Sequence, residues 1–293
     1  MSSTHNQGLL LADQWRDYAL LDCGDGLKLE QWGPVLTARP DPQVIWPKRL
    51  PDLWKKADAV YQRSEKGGGA WTFHRKLPPS WPLAFRALTF QIRPTGFKHM
   101  GLFPEQAVNW DWLMARCRTA PKPARVLNLF GYTGGATVAA ASVGATVCHV
   151  DAAAGMVDWC RDNARLSGLA DAPIRYIVDD CLAFVAREIR RQSRYEGLIM
   201  DPPSFGRGKR GEIWKLEDQL WCLLCECRKL LADRPSFALV NAYTASLSPV
   251  VLSNMVSDAW GDALPRVYGG EVGLPVRNDA RVLPCGIFCR AES

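Results

Sequence analysis

The chain has 293 residues, of which 47% are hydrophobic, 23% charged and 10% aromatic. This composition supplies a core for one large domain and a small second one, and it excludes extensive disorder. No run approaches the roughly twenty apolar residues of a membrane-spanning helix, and the first residues lack the cationic and apolar regions of a secretory signal. With ten cysteines in such a chain, we expect reduced thiols, a cytoplasmic location and no membrane association.

The positive charge of the chain is concentrated in one segment. The net charge is +6, and residues 41–100 hold 11 lysines and arginines against 4 acidic residues. The same segment carries Trp46, Trp54, Trp71 and Trp81. Cations interleaved with aromatic rings are typical of surfaces that bind a phosphate backbone and unstacked bases. The alternative is a solvated surface above a core that contains the tryptophans.

The first third of the chain has the pattern of a β-rich module. Short strands are predicted at Tyr18–Leu21, Leu27–Trp32 and Val35–Ala38, separated by turns rich in glycine, aspartate and proline. Prolines and glycines then interrupt the chain as far as residue 95, which predicts an extended connection. We therefore expect a small β-rich domain over residues 1–95.

The pattern changes to alternating strands and helices after residue 120. The predicted strands are Arg125–Phe130, Ala145–Val150, Ile174–Val178, Gly197–Met200, Phe237–Asn241 and two stretches near 266–274 and 282–290. The predicted helices are Ala136–Ser142, Ala152–Ser167, Leu182–Gln192, Ile213–Leu231 and Pro249–Trp260. Such alternation predicts an α/β fold with a doubly wound, mostly parallel sheet over residues 96–293.

Three successive strand ends in this half carry residues suited to a nucleotide-like ligand. In doubly wound sheets, ligands lie beyond the carboxyl ends of the strands. A glycine turn, 131–135, follows the first strand, and Asp151 ends the second, where an acid can accept hydrogen bonds from ribose hydroxyls. A helix N-cap is the alternative role for Asp151. Asp180 ends the third strand and could accept the amino group of adenine, or Asp179 could do so while its neighbour caps a helix or faces solvent.

The glycine spacing narrows the choice of ligand. A dinucleotide site has the pattern G-x-G-x-x-G, and a P-loop adds a lysine, because both must hold phosphates. The turn here is G-x-x-G-G without a following lysine. S-adenosylmethionine has a ribose and an adenine but no phosphate, so it fits this turn. A fourth strand ends in Asp201-Pro202-Pro203-Ser204-Phe205, which places a carboxylate, a rigid backbone and an aromatic ring near the expected methyl group.

These motifs together resemble a known family. NLFGYTGG (128–135), Asp151, the pair at 179–180 and DPPSF (201–205) resemble class I S-adenosylmethionine-dependent methyltransferases. Within them, the chain is most similar to the bacterial 23S ribosomal RNA methyltransferases that modify cytosine at ring carbon 5. The resemblance covers residues 95–290, and the segment 101–106 resembles the part that reaches over the cofactor in that group. It implies a Rossmann-like methyltransferase domain, S-adenosylmethionine as cofactor and RNA, foremost ribosomal RNA, as partner.

The resemblance also implies roles for individual residues. It places Phe130, Gly131, Thr133 and Gly134 around the methionine part of the cofactor, Asp151 at the ribose and Asp180 at the adenine. The full set of implied cofactor contacts is Gln106, Asn128, Phe130, Gly131, Tyr132, Thr133, Gly134, Asp151, Asp180 and Cys181. Asp201 and Pro202 are the expected catalytic residues, because they would orient the target. The expected substrate contacts are Ser204, Phe205 and the cations Arg207, Lys209 and Arg210 of the loop that follows.

One departure from the family pattern bears on the reaction. Methylation of a pyrimidine at carbon 5 uses a cysteine that adds to carbon 6 and makes carbon 5 nucleophilic. The relatives carry that cysteine after the fifth strand, where this chain has the stretch 240–244, and Ser204 stands at the other position where related enzymes have one. We therefore expect no covalent enzyme–RNA intermediate and a target that is already nucleophilic, either a nitrogen or a ribose oxygen. The competing possibility is that another cysteine reaches the site, Cys181 being the nearest to a motif.

Two further patterns are interpreted as structural. Cys222, Cys225 and Cys227 lie in a helical pattern without a second C-x-x-C, which predicts buried thiols and no metal site. Trp214 and Trp221 are spaced as on a packed helix face. Two alternative functions remain: a methyltransferase that acts on a protein or small molecule, and a non-catalytic RNA-binding protein that depends on the cofactor.

Overall fold

A computed structural model describes residues 8–64, 68–120, 123–207, 213–243 and 247–293. The chain divides into two compact units. The large unit takes in Asn109–Val272, Cys285–Ser293 and the described residues up to Leu10, and the small unit takes in Leu11–Val108 and Gly273–Pro284. The small unit therefore contains a segment from near the C-terminus as well as the N-terminal part of the chain. The domain boundary expected near residue 95 stays a prediction.

The described residues of the first part of the chain form short elements, most of them strands. They are β1 (Gly8–Leu11), β2 (Tyr18–Gly24), β3 (Leu27–Trp32), β4 (Val35–Pro40), α1 (Pro51–Trp54), β5 (Ala59–Arg63), β6 (Gly69–Phe73), β7 (Trp81–Phe85), β8 (Leu88–Ile92), a 3-10 turn at Pro104–Gln106 and α2 (Ala107–Thr119). Strands β2 to β6 form one sheet in that order, and β7 pairs with β8.

The small unit contains more regular structure than the sequence predicts. The segment before residue 95 includes four strands, β5 to β8, where an extended connection was expected. Each of these strands has five residues and gains its hydrogen bonds from a partner strand, so pairing decides its conformation more than local composition does. Helix α2 was also missed. Its apolar residues form no single stripe, because tryptophans and polar residues alternate along it.

A single buried carboxylate connects three segments of the small unit. Asp22, on β2, has no solvent exposure. Its Oδ2 atom accepts hydrogen bonds from the backbone amides of Arg49 (3.0 Å) and Leu50 (2.9 Å) and from the Trp54 indole (2.8 Å). Its Oδ1 atom accepts a hydrogen bond from the Arg281 guanidinium at 2.8 Å. Burial alone would raise the pKa of Asp22, but these hydrogen bonds outweigh it and the pKa is lowered.

We expect Asp22→Asn to lower the free energy of unfolding by about 3–5 kcal/mol, because it removes the charge that buried donors surround. A group with a lowered pKa stabilises the fold fully above its unfolded pKa of about 3.9 and loses that effect as the pH falls below it. Urea unfolding from neutral to acid pH tests both points. Asp52→Asn is the control, since the Asp52 side chain is 89% exposed. An equal effect of the two substitutions would contradict the assignment.

The described elements of the large unit alternate as predicted. They are β9 (Arg125–Leu129), α3 (Gly135–Ala141), β10 (Thr146–Asp151), α4 (Ala154–Leu166), β11 (Ile174–Val178), α5 (Cys181–Arg190), β12 (Gly197–Met200), β13 (Phe205–Arg207), β14 (Ile213–Lys215), α6 (Leu216–Arg228), β15 (Phe237–Ala242), α7 (Pro249–Trp260), β16 (Arg266–Pro275) and β17 (Val282–Glu292). The main sheet has the order β1-β16-β17-β15-β12-β9-β10-β11.

The centre of this sheet is parallel and buried on both faces. Strands β15, β12, β9, β10 and β11 run parallel, and β17 pairs antiparallel with β15. Every residue of β12 and β15 is buried, as expected where helices cover both faces of a parallel sheet. The carboxyl ends of β9 to β12 therefore meet at one edge. The Rossmann-like fold with a β-rich N-terminal region, as predicted from the sequence, is confirmed.

The predicted helix at Ile213–Leu231 is wrong at its start. Residues 213–215 form β14, which pairs antiparallel with β13, and α6 begins at Leu216. The predicted helix face of Trp214 and Trp221 is wrong for the same reason: Trp214 lies on the strand, and Trp221 is 47% exposed. The prediction of three buried thiols is confirmed for Cys227 and wrong for Cys222, which is exposed, while Cys225 is partly exposed. No described helix is long and apolar enough to cross a membrane.

Candidate active site

The glycine turn between β9 and α3 adopts an unusual backbone conformation. Phe130, Tyr132 and Gly134 have φ angles of 54°, 51° and 85°. The left-handed region costs about 1–2 kcal/mol for a residue with a side chain, so the surrounding structure must hold Phe130 and Tyr132 there. The Gly131 amide donates to the Val150 carbonyl of the neighbouring strand at 2.9 Å. This hydrogen bond therefore holds the turn against the end of β10.

A buried polar network supports this turn from below. A Cβ atom on Gly131 would lie 2.4 Å from the Cε1 and Nδ1 atoms of His149, so only glycine fits. The Asn128 amide donates to the Thr137 hydroxyl at 2.9 Å, and that hydroxyl lies 2.9 Å from His149 Nδ1. The hydroxyl therefore joins the Asn128 amide to the imidazole, and the donor in its hydrogen bond to Nδ1 follows the imidazole tautomer. Burial lowers the pKa of His149 to about 4, so the ring is neutral at neutral pH.

The packing of Gly131 can be tested by adding one methyl group. Gly131→Ala should lower the free energy of unfolding by about 1–3 kcal/mol, because the new Cβ overlaps the buried His149 ring. Gly155→Ala, in α4, is the control. A Cβ there meets nothing within 4 Å, so alanine should be neutral or slightly stabilising. Urea unfolding of both variants distinguishes them, and equal stability would show that the turn can move away from the ring.

Asp151 links the turn to the helix that follows. Its Oδ2 atom accepts the Tyr132 amide and its Oδ1 atom accepts the Ala153 amide, both at 2.9 Å. The N-cap of α4 is Ala153, so the N-cap alternative for Asp151 is wrong. Burial raises the pKa of Asp151, and the two backbone hydrogen bonds oppose this. Each carboxylate oxygen has a second lone pair, so Asp151 retains acceptor capacity for two hydroxyl groups.

The two neighbouring acids at the end of β11 have different partners. Asp180 is the N-cap of α5, and its Oδ1 atom accepts the Ala183 amide at 2.9 Å. Asp179 accepts the Asp180 amide at 2.9 Å and forms an ion pair with Arg187. The Asp179 amide donates to the Asp151 carbonyl at 3.1 Å, so the acids of β10 and β11 lie next to each other. The second carboxylate oxygen of Asp180 is compatible with the predicted adenine contact.

The DPPSF turn follows β12 and lies beside the glycine turn. The Asp201 amide donates to the Leu129 carbonyl at 3.4 Å, across the adjacent strand ends. The Trp214 indole donates to the Pro203 carbonyl at 2.6 Å, and the Trp214 ring lies 5.1 Å from the Phe130 ring. Trp214 therefore connects the two turns. The sequence pattern assigned this tryptophan to a helix and so missed its place in the site.

The substrate side of the turn is exposed. Ser204 is exposed, Phe205 is 51% exposed, and Pro202 is buried. The Leu216 amide donates to the Ser204 carbonyl at 3.1 Å, which fixes the turn against the start of α6. Of Arg207 only the backbone, in β13, is described. The predicted substrate contacts Lys209 and Arg210 lie outside the described residues.

The other predicted cofactor contacts differ in their surroundings and in the unit to which they belong. Asn128 and Thr133 are buried, and Asn128 donates into the network below the turn. Cys181 is also buried, and its Sγ atom accepts the Phe130 amide at 3.4 Å. Burial raises the pKa of the Cys181 thiol well above its usual value. Gln106 lies in the 3-10 turn of the small unit, so its role, like the other assigned roles, stays a prediction. His149 and Thr137 were missed, although a histidine inside a buried strand was a visible signal.

Comparisons with known proteins show the family to which the chain belongs. A family model of S-adenosylmethionine-dependent methyltransferases matches residues 63–234, more than half of the chain. A ribosomal RNA large subunit methyltransferase K/L from Shewanella frigidimarina is 35% identical over 154 residues, 52% of this chain and 21% of that protein. The ribosomal RNA large subunit methyltransferase K/L from Vibrio cholerae is 40% identical over 117 residues, 39% of this chain and 16% of that protein. The matched part of the chain spans about a fifth of the length of these curated relatives.

Solved structures match over nearly the whole chain. The S-adenosylmethionine-dependent methyltransferase from Agrobacterium tumefaciens has a TM-score of 0.93 and 39% identity, covering 98% of this chain and 94% of that one. The structure of SMU.776 complexed with SAH has a TM-score of 0.74 and 17% identity, covering 95% and 76%, and shows the fold alone. The fold and the family match define a Rossmann-like methyltransferase. The chain belongs to the S-adenosylmethionine-dependent methyltransferases, and S-adenosylmethionine is its cofactor.

The residues present fit this cofactor. Its ribose hydroxyls and adenine amine are hydrogen-bond donors, and they require acceptors. Asp151 and Asp180 provide carboxylates at neighbouring strand ends, each with acceptor capacity beyond its backbone hydrogen bonds. Negative charge at this edge also suits a sulfonium cation. Among the described residues, no group of histidines, cysteines or acids could hold a metal ion.

Proposed function

We propose that the enzyme methylates RNA, with ribosomal RNA as the foremost substrate. The observation that carries the proposal is the match of about half of the chain to curated relatives named as ribosomal RNA large subunit methyltransferases. Because the chain spans only about a fifth of those relatives, their substrate is a proposal for this chain. The excess of cations over acids in residues 41–100 supports a polyanionic substrate. The cytoplasmic location expected from the sequence stays a prediction.

Within the site, we propose that Asp151, Asp180 and the glycine turn bind the cofactor and that the DPPSF turn orients the substrate. Asp151 accepts hydrogen bonds from the ribose, Asp180 accepts the adenine amine, and the backbone of the glycine turn lies along the methionine part. The bound cofactor supplies a methyl group on a positively charged sulfur, which needs only an aligned nucleophile. Asp201 and the Pro202 backbone orient that nucleophile. An acceptor that carries a hydrogen can donate it to the Asp201 carboxylate, which holds the acceptor lone pair toward the methyl group.

The role of Asp151 predicts a loss of cofactor affinity. Asp151→Ala should weaken S-adenosylmethionine binding by about 1–3 kcal/mol, because the ribose hydroxyls lose a charged acceptor. Asp151→Asn retains one acceptor oxygen, so its affinity for S-adenosylmethionine should lie between the affinities of Asp151→Ala and the wild type. Asp158→Ala is the control, since its side chain, on α4, is 67% exposed. Titration calorimetry gives the affinities, and unchanged binding by a folded Asp151→Ala variant would remove Asp151 from the site.

We further propose that the acceptor atom needs no covalent activation. The position after DPP is Ser204, and Tyr243 follows β15, where the resemblance places a cysteine. A serine hydroxyl is much less ionised than a thiol at neutral pH, so it cannot replace a thiolate at a pyrimidine ring. Cys181 is buried behind the turn, and its raised pKa keeps the thiol protonated. These observations favour a ring nitrogen, an exocyclic nitrogen or a ribose oxygen over carbon 5 of cytosine.

The substrate and the acceptor atom can be tested together. Total RNA from a strain that lacks the enzyme should gain one methylated nucleoside when it is incubated with the protein and S-adenosylmethionine, as measured by nucleoside mass spectrometry. RNA substituted with 5-fluorocytosine should form no stable adduct with the protein. An adduct that is lost on changing one cysteine to alanine would restore carbon-5 chemistry. Methyl incorporation only into protein or small molecules would contradict the RNA proposal.

A further inference from the structure

One face of the small unit's five-stranded sheet carries aromatic and charged side chains together. The strand registers pair Lys28 with Arg39, Tyr61 with Trp71 and Ala59 with Phe73, and directly paired residues lie on the same face. The parallel pairing of β4 with β5 joins Arg39 to this face. The residues on this face that matter here are Lys28, Glu30, Arg39, Tyr61, Arg63, Trp71 and Phe73.

The β6 edge of this face carries Trp71 and Phe73, and the Phe97 backbone lies against Trp71, with its carbonyl oxygen 3.3 Å from the indole nitrogen; we call these three residues the aromatic edge. The Trp71 and Phe73 rings are stacked, with centroids 6.3 Å apart and an interplanar angle of 24°. Phe73 is 52% exposed and Phe97 is 67% exposed. A stacked aromatic pair that includes a half-exposed phenylalanine marks a candidate interaction surface. The two phenylalanines present flat apolar surfaces to solvent.

The aromatic edge is held in place by hydrogen bonds. The Trp71 indole donates to the Thr95 carbonyl at 2.9 Å and to the Phe97 carbonyl at 3.3 Å. The Thr95 hydroxyl accepts the Phe97 amide at 3.2 Å, and the buried Tyr61 ring packs edge-on against Trp71. The loop that carries Phe97 is thus fixed beside the strand. A ligand that stacks on these rings would lose little of its binding energy to ordering them.

The charges near the aromatic edge do not cancel. Glu30 pairs with Arg39 at 2.6 Å, and Asp41 pairs with Lys28 at 3.2 Å. Lys98 lies near Lys28, Arg39 and Arg63 and near the Asp41 carboxylate. In the part of the chain that the structure describes, neither Arg63 nor Lys98 has a carboxylate within ion-pair distance. Burial and the neighbouring cations lower the pKa of Lys98, and Asp41 opposes this shift. Arg63 and Lys98 therefore form no ion pair among the described residues, and in this cluster the cations Lys28, Arg39, Arg63 and Lys98 outnumber the acids Glu30, Asp41 and Glu105.

The other tryptophans of the basic segment do not share this arrangement. Trp81 is buried, and its indole donates to the Trp32 carbonyl at 2.9 Å. The indole of Trp46 donates to Cys23, and that of Trp54 donates to Asp22. These three side chains therefore serve the packing of the small unit. Of the four tryptophans in residues 41–100, Trp71 alone is part of the aromatic edge as the described residues define it.

We propose that the aromatic edge, together with Arg63 and Lys98, is a docking surface for single-stranded RNA. The rings stack on unpaired bases, and the two cations bind the phosphates between them, which is how proteins hold single strands without reading their sequence. In duplex RNA the base faces are covered by their neighbours, so the surface selects unpaired segments. The inference rests on the RNA substrate proposed above and adds where and in what form that RNA binds.

The stacking part is tested with the full-length double variant Phe73→Ala/Phe97→Ala and a labelled oligouridine. Loss of stacking should weaken binding by between about 5-fold and 150-fold for each base that no longer stacks. Cofactor affinity should not change. Trp221→Ala is the control, because this ring is comparably exposed, 47%, on α6 of the large unit. It should leave RNA binding within about two-fold of the wild type.

The electrostatic part is tested by the salt dependence of binding. Arg63→Gln/Lys98→Gln should lower the slope of log affinity against log salt by about 1.4, since each phosphate contact to a single strand contributes about 0.7. Lys55→Gln/Lys56→Gln, two exposed cations next to α1, should leave the slope unchanged.

The outcomes distinguish this surface from the function itself. Unchanged affinity and slope in both test variants, with normal RNA methylation, would overturn the docking surface and leave the proposed function intact. An equal loss of binding for duplex and single-stranded RNA would overturn base stacking as its basis. If the wild-type protein neither binds nor methylates RNA, both proposals fail.

Discussion

The contact between Gly131 and the His149 ring is the constraint on which the rest of the site depends. Strands β9 and β10 are parallel neighbours, so the chain leaving β9 must cross the end of β10 at close range. A glycine lets the backbone lie against the imidazole, and the turn then brings the Tyr132 amide to Asp151. The acid at the end of β10 is therefore positioned by the same packing that shapes the turn.

The polar network below the turn makes this packing specific. Asn128, Thr137 and His149 form a chain of hydrogen bonds from the amide through the hydroxyl to Nδ1 of the imidazole. A protonated ring would be buried without a counter-charge, and the lowered pKa shows that the structure favours the neutral form. Because each member needs its neighbour, the network fixes the ring orientation and with it the height of the turn above the sheet.

The residues also show what could be predicted from the sequence and why the rest could not. The strand Gly197–Met200 was predicted with its observed bounds, because a buried parallel strand is a continuous apolar run with clear ends. The edge strand Ile174–Val178 was also predicted with its observed bounds, although its residues are not buried. The positions of the acids at strand ends could be predicted because the strand ends were clear. The hairpin of β13 and β14 could not be predicted, since Ile-Trp-Lys fits a helix start or a strand equally and only pairing with another strand decides its conformation. His149 was missed because its importance lies in a contact with Gly131, eighteen residues away in sequence.

Electrostatics suggest why the donor site and the RNA-binding cations should be carried by different parts of the chain. Asp151, Asp180 and Asp201 gather negative charge at the carboxyl edge of the large unit's sheet, which favours a sulfonium and disfavours phosphates nearby. Cations outside this edge, such as Arg63 and Lys98 of the small unit, would then hold the backbone of a polyanionic substrate, in addition to the cations predicted after the DPPSF turn. The substrate backbone would stay away from the acids while a single base or ribose enters the site. A substrate with unpaired bases can make that approach at the lowest cost, because its bases need not leave a duplex.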